Sequence, residues 1–355
     1  MTNVFNLPTK EQFDDQISVL REISGKIGVA DTIGSWNDVV AICRRRDANR
    51  YLKVGDTLVS SYNGIRAVVD LIGINHDVDE SDVGDTITIQ FRDCLLNGQF
   101  DAPEALYYAS SALSVGKKIF EIDSGKYEFT TTQTVPQGGQ VMLVNIQDGF
   151  IPTTATTYEA DRTTVIESGL PVTVSTGTSN LSPVNHQQRC RYGSNNYIES
   201  AVRQWLNDDK DTFVWTPQTN FDRPPTFAYP TAGFLKLLQP ELASVIKPTT
   251  KTVTRNTITD GGGQDTFTDK VFLLSRVEVG LGTEGDTTGE TVYEFWDGST
   301  DADRIKVLGP SPRPWRLRSP HVSRAFYVRT VRPGGFLDYT PAINSFGLAP
   351  ACKIS

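Results

Sequence analysis

Between Trp315 and Ser355 the chain is cut into strand-length pieces by its own turn chemistry. Pro314 and Pro320 bracket Trp315-Arg316-Leu317-Arg318-Ser319, and a run rich in β-branched and aromatic residues extends from Ala325 to Val331. Pro333-Gly334-Gly335 supplies a turn, and Phe336-Leu337-Asp338-Tyr339 returns as a second strand. The stretch therefore predicts a hairpin whose frame carries large polar and aromatic tips. Those tips are His321, Arg324, Phe326, Arg329, Arg332, Tyr339 and Asn344, the candidate ligand-binding residues. A rigid frame with varied tips is how recognition surfaces are built. The plainer alternative is a last hairpin whose exposed face is simply basic.

The rest of the chain fits a turn-rich, sheet-rich protein rather than a helix bundle, because 29 glycines and 19 prolines are scattered along it. With 38% hydrophobic and 21% charged residues there is material for a real core, and 355 residues allow two or three domains. A net charge of -8 argues against general nucleic-acid binding, which needs phosphate-neutralising charge. No apolar run reaches the ~18 residues of a membrane span, and Met1-Thr2-Asn3-Val4-Phe5 lacks a signal-peptide pattern. Cys43, Cys94, Cys190 and Cys352 have no metal-site spacing and read as reduced thiols of a protein made in the cytoplasm.

In chain order, Thr9-Lys10-Glu11-Gln12 fits a capping box, and Phe13, Ile17, Leu20, Ile23 and Ile27 follow at helical spacing. The expected amphipathic helix, within residues 1–30, is about 30 Å long. It serves either as an oligomer stalk or anchor, or as a helix packed on its own domain. A second, short helix is capped at Ser35-Trp36-Asn37-Asp38 and ends at Arg44-Arg45-Arg46, where positive charge suits a helix C-terminus. Strands are expected from Val54 to Val59, from Arg66 to Ile74 and from Thr86 to Phe91, the last with clean alternation. The loop from Asp77 to Asp85 is dense in carboxylates but lacks calcium-loop spacing, so it reads as a solvated acidic loop.

Residues 96–184 read as an inserted β-rich subdomain. It has a proline-started helix at 102–109, strands at 118–122, 126–129 and 140–144, and a long irregular exit over the Thr- and Ser-rich residues 152–184. A further helix carries Ile198, Ala201, Val202, Trp205 and Leu206 on one face. Trp205, Trp215 and Trp315 are expected in the core, with Phe221, Phe227, Phe234, Leu237 and Leu238 adding to it. Residues 270–275 read as a buried strand, and 280–290 as an exposed loop. Asp260-Gly261-Gly262-Gly263 has no phosphate-loop context. With three histidines (His76, His186, His321), no nucleophile elbow and no histidine metal pair, the sequence predicts a non-enzyme with no catalytic residues, no metal and no cofactor.

Three pieces together carry a resemblance: Ser200-x-x-Arg203-x-Trp205-Leu206-Asn207, Phe272-Leu273-Leu274-Ser275-x-x-Glu278, and Trp315-x-Leu317-Arg318-Ser319-Pro320 with Gly347-Leu348-Ala349-Pro350-Ala351. In this order they resemble a domain family of unassigned function in gut bacteria and their tailed phages, which is similar to the C-type-lectin superfold. The part from Trp36 to Cys94 resembles the phage versions. The resemblance implies an α+β, C-type-lectin-like domain in which the first and last strands pair. It divides the chain into an N-terminal helix (1–30), a first lectin-like part (31–95), the insertion (96–184) and the main lectin-like part (185–355). The superfold includes a sulfatase-activating oxidase with a cysteine pair, which Cys190 and Cys352 do not reproduce.

The function implied is that of a phage virion surface protein, assembled in the host cytoplasm. Its C-terminal face, His321 to Phe346, binds a host-surface protein or glycan and is a candidate for retroelement diversification. A head or tail decoration protein is the alternative. The expected partners are the host receptor, other virion proteins through the N-terminal helix, and copies of the chain itself, a trimer being favoured. Nucleic acid and membrane insertion are not expected. Arg203 and Arg318 are read as structural cations, paired with carboxylates or carbonyls.

Overall fold

A computed structural model describes residues 35–105, 107–116, 118–120, 127–144, 154–174, 186–219, 221–227 and 229–355. The expected N-terminal helix lies outside the described residues. The described residues open with helix α1 (Trp36–Arg44), capped by Ser35, whose side chain accepts from the Asp38 amide, and the short α2 (Ala48–Tyr51). Strands β1 (Thr57–Tyr62), β2 (Ile65–Ile74), β3 (Ile87–Phe91) and β4 (Leu96–Gln99) follow. Then come β5 (Tyr107–Tyr108), β6 (Lys118–Phe120), β7 (Tyr127–Thr130), β8 (Gln140–Val144), β9 (Thr154–Tyr158), β10 (Val165–Pro171) and β11 (Thr173–Val174). Helices α3 (His186–Tyr192), α4 (Ala201–Leu206), α5 (Phe234–Leu237) and α6 (Pro240–Val245) lead into β12 (Ile246–Lys247), β13 (Thr249–Thr254), β14 (Gln264–Asp269) and β15 (Val271–Phe272). The chain finishes with β16 (Lys306–Leu308), β17 (Ser311–Arg313), β18 (Trp315–Pro320), β19 (Tyr327–Val331), β20 (Leu337–Pro341), β21 (Ser345–Leu348) and β22 (Ala351–Ile354).

This is a mixed α+β, sheet-rich protein with few helices. The end of the chain returns to its early strands, as expected: β22 runs antiparallel to β3, with Cys352 opposite Ile89 and Ile354 opposite Ile87. The six-stranded sheet has the order β1-β2-β3-β22-β12, with β15 also on β22. A five-stranded sheet, β20-β19-β18-β21-β4, packs into the same core, where Trp205, Trp315, Phe234, Phe272 and Phe91 are almost fully buried. The β19–β20 hairpin forms where the turn chemistry places it. Gly335 in its turn has φ +87°, and a Cβ there would run into the Asp301 carbonyl, so no other residue fits.

Several expectations need correction. The excursion from the main body does not begin at residue 96, because β4 pairs with β21 and Phe100 is in the main core. It begins after the 101–105 segment and builds a separate small core from Ala109, Leu113, Val135, Val141, Ala155 and Leu170. The proline-started helix at 102–109 does not form: residues 101–105 are irregular and Tyr107–Tyr108 pair with β8. Within the supposed irregular exit, β9 and β10 form a hairpin. Threonine is β-branched and suits a strand without adding apolar content. Trp215 is only half-buried and Phe227 is 44% exposed, so neither is core.

Candidate functional site

The three sequence motifs meet inside the protein. Ser275 and Glu278 bond reciprocally: the Ser275 amide donates to Glu278 Oε2 (2.9 Å) and the Glu278 amide to Ser275 Oγ (3.1 Å). The same carboxylate takes Arg318 through Nη1 (2.5 Å) and Nη2 (2.9 Å), and Lys251 Nζ (2.9 Å). Lys251 reaches on to Asp77 Oδ1 (2.5 Å) and the Tyr293 hydroxyl (2.7 Å), which itself donates to Asp77 Oδ2 (2.6 Å). Burial works to raise the Glu278 carboxyl, but Arg318 and Lys251 outweigh it and hold the group well below the usual carboxylate range. All three ammonium donors of Lys251 are satisfied here, which makes this centre a fastener. A polar cavity of about 160 Å³ adjoins it, lined by His76, Glu290 and Thr291 among others.

The other motif residues are fasteners as well. Ser200 caps α4 by accepting from the Arg203 amide, and Arg203 clasps Asp269 through Nε (2.8 Å) and Nη2 (3.0 Å). Asn207 ends α4 and pairs with the backbone of Val271, donating to its carbonyl (2.9 Å) and accepting its amide (3.1 Å). The Arg203 and Arg318 side chains thus have the carboxylate partners anticipated for them.

The acidic loop is not the solvated loop expected. Asp77 is buried against Lys251, and Asp79 and Asp82 both receive Lys353 Nζ (2.5 and 2.8 Å). Asp85 accepts from the Ala48 amide (2.9 Å) and from Asn75 Nδ2 (3.0 Å). Lysines and amides of distant elements take up the charge that a bare loop would show to water.

The candidate binding face lies at one end of the β19–β20 hairpin. Arg329 stands opposite Tyr339 in the strand register. Its guanidinium lies 5.5 Å from the Tyr339 ring centroid. The His321 ring meets Tyr339 edge-on at 4.8 Å, and Tyr327 meets it at 4.7 Å. Glu284, which the sequence does not single out, is the hub. It accepts from Arg329 Nε (2.6 Å), Arg276 Nη1 (2.7 Å) and the Val322 amide (3.2 Å), and lies 3.4 Å from His321 Nδ1. Burial, and then Arg329, lower the His321 imidazole below its ordinary value, against the pull of Glu284. The 280–290 loop, read as simply exposed, is therefore half of this site. Tyr339 is 41% exposed and Arg324 is exposed.

Of the seven candidates, the structure brings His321, Arg329 and Tyr339 into contact, and Arg324 follows His321 closely, its amide bonded to the His321 carbonyl (3.1 Å). Phe326 is a correction: it is 2% exposed, stacked on Tyr192 at 4.8 Å and packed against the Tyr327 ring at 4.2 Å, so its ring is covered by neighbours and not open to a ligand. Arg332 sits at the hairpin tip, paired with Asp338. Asn344 lies in the next turn, where its carbonyl accepts from the buried Arg316 (2.8 Å). Sequence reasoning missed Glu284, Arg276 and Tyr327. Only the strand period, which puts Tyr327 and Arg329 on one face, offered a signal.

A third charged cluster sits where the small core joins the main body. Oxygens of Asp101, Glu104 and Asp222, all buried, lie within 4.8 Å of one another. Arg189 bonds Glu104 (2.5 Å), Asp260 (2.9 Å) and Glu199 (3.0 Å). Burial pushes Asp101 well above the usual range, Asp222 up to about 6 and Glu199 up to about 7. Among the described residues the cluster thus holds more carboxylates than cations. None of the four cysteines forms a disulfide. Burial raises the Cys43 and Cys94 thiols to about 12, which makes them inert. No helix among the described residues is long and apolar enough to cross a membrane.

Fold and sites together define a sheet-rich α+β domain with motif residues turned inward and a charged, aromatic hairpin face turned outward. The chain belongs to a family described as a domain of unknown function, DUF6273, whose model matches residues 173–355. No curated protein and no solved structure matches the chain.

Proposed function

We propose that this protein is a binding protein of the phage virion surface. In this reading its fold is C-type-lectin-like, and its C-terminal face attaches to a host-surface receptor or glycan. The observation that carries the binding reading is the construction of the face. Tyr339 and Arg324 are exposed, while Arg329, His321 and Tyr327 around them are held by Glu284 and by ring contacts. Exposed Tyr and Arg on a preorganised frame are the usual anchors of an interface. The virion setting and the lectin-like fold rest on the resemblance of the motifs. A trimer assembled through residues 1–30 and retroelement diversification of the face belong to the same reading.

The test is binding of the purified protein to intact candidate host cells, beside an Arg324→Ala/Tyr339→Ala double variant checked for folding by circular dichroism. Loss of cell binding in a folded variant supports the proposal. Equal binding by both proteins overturns the assignment of this face. A decoration protein is the second reading. It is favoured by Phe336, which is 52% exposed at the hairpin tip, the end where Arg332 pairs with Asp338. It predicts that Phe336→Ala, and not the double variant, abolishes association with virion particles.

A further inference from the structure

We propose that the ligand of the hairpin face is an acidic saccharide, its carboxylate drawn to Arg324 and its ring laid against Tyr339. This rests on reading that face as a binding surface and names the chemistry it takes. Three guanidinium groups, Arg276, Arg324 and Arg329, gather around His321, with Glu284 as the one carboxylate bonded among them. Around the His321 ring these guanidinium groups outnumber the bonded carboxylate three to one, in a chain whose net charge is -8. Such a reversal concentrates anions at one place on an otherwise repelling surface.

The cations of the face divide by availability. Arg276 and Arg329 are committed to Glu284, with side chains 13% and 12% exposed. Arg324 is exposed, and among the described residues its guanidinium meets only the Ser323 carbonyl, at 3.4 Å. A planar fork of donors with little to hold it suits a carboxylate, which it takes through two parallel bonds.

The second element is the ring. Tyr339 is 41% exposed and held by Arg329, His321 and Tyr327. It offers a platform about one sugar ring wide. A protein partner ordinarily covers about 800 Å² of each surface around a core of several large apolar anchors. Within this cluster Tyr339 is the one large exposed ring. An acidic monosaccharide unit suits one open arginine and one open ring that are both linked through His321, and an acidic peptide uses the ring poorly.

The experiment is titration calorimetry of the full chain with polygalacturonate and with α2,8-linked polysialic acid. Each is used in native and carboxyl-reduced form, with polyglutamate as the peptide arm. The expected result is binding of at least one native polysaccharide, no binding of its reduced form, and at least a tenfold loss in Arg324→Ala and in Tyr339→Ala. Equal binding of native and reduced forms overturns the carboxylate, and polyglutamate bound as tightly as the saccharides overturns the sugar. Failure of every arm overturns the inference. If wild-type protein then still binds cells through Arg324 and Tyr339, the face remains a binding site for another ligand; if it does not, the broader reading falls as well.

Discussion

Glu278 and Glu284 lie in one short stretch of chain, and each is gripped by two cations, yet they do opposite work. Glu278, with Arg318 and Lys251, forms a centre whose side chains are between 0 and 7% exposed. Glu284, with Arg276 and Arg329, forms one whose side chains are 12 to 19% exposed. In the first, water is gone and every donor must be met from within, so the cluster fixes how β13, β18 and the 275–278 turn fit together. In the second, the same chemistry stiffens a surface and leaves Arg324 and Tyr339 open beside it. Depth, rather than residue type, separates a fastener from a platform.

The largest effect should come from breaking the deep centre. Glu278→Gln removes the carboxylate that pairs with the buried Arg318 and leaves Lys251 with Asp77 alone, and should cost about 3–5 kcal/mol in urea unfolding. Because the Glu278 carboxyl is depressed in the folded state, its contribution is complete above the ordinary glutamate value and declines as acid approaches the folded one. A Glu278→Gln variant as stable as wild type would remove the distinction between the two centres.

The cluster at Asp101, Glu104 and Asp222 sharpens the comparison, since it is deep but short of cations. Asp222 and Glu199 are raised to about 6 and about 7, so the folded form holds more protons than the unfolded one across pH 4 to 7. Their contribution should therefore weaken as pH rises through that window, the reverse of Glu278. Asp222→Asn should flatten that slope in thermal unfolding followed from pH 4 to 8.

Effects at the surface centre should be smaller in stability and larger in binding. Glu284→Gln should cost about 1 kcal/mol, since partly exposed ion pairs contribute little. It should also loosen Arg329 and lower cell binding at least tenfold. Smallest of all, Tyr339→Ala should shift stability by no more than about 0.5 kcal/mol in urea unfolding. A larger loss would place that ring in the core rather than on a platform.

The sequence made the local parts of this architecture legible. Alternation marked β3, and turn chemistry marked the β19–β20 hairpin. Partners distant in sequence were not legible. Lys353 neutralises Asp79 and Asp82 from the far end of the chain, so the loop read as solvated. Glu284 looked like loop filler because its arginines come from different elements, one of them β19. Phe326 and Tyr327 are neighbours, yet Phe326 is buried because Tyr192, distant in sequence, covers its ring, and such a partner is a tertiary property.

The position of β22 has a consequence for synthesis. It joins β3 to both β12 and β15, so the six-stranded sheet stays in three pieces until this segment has left the ribosome. At about 5–20 residues per second, β1 to β3 wait on the order of tens of seconds with an open edge. A nascent chain that stalls before residue 351 lacks its closing strand, and a chaperone able to cover the edge of β3 would decide its yield. The hairpin face precedes that strand by only a few residues, so a molecule that completes its sheet has, by the same act, already made the surface it displays.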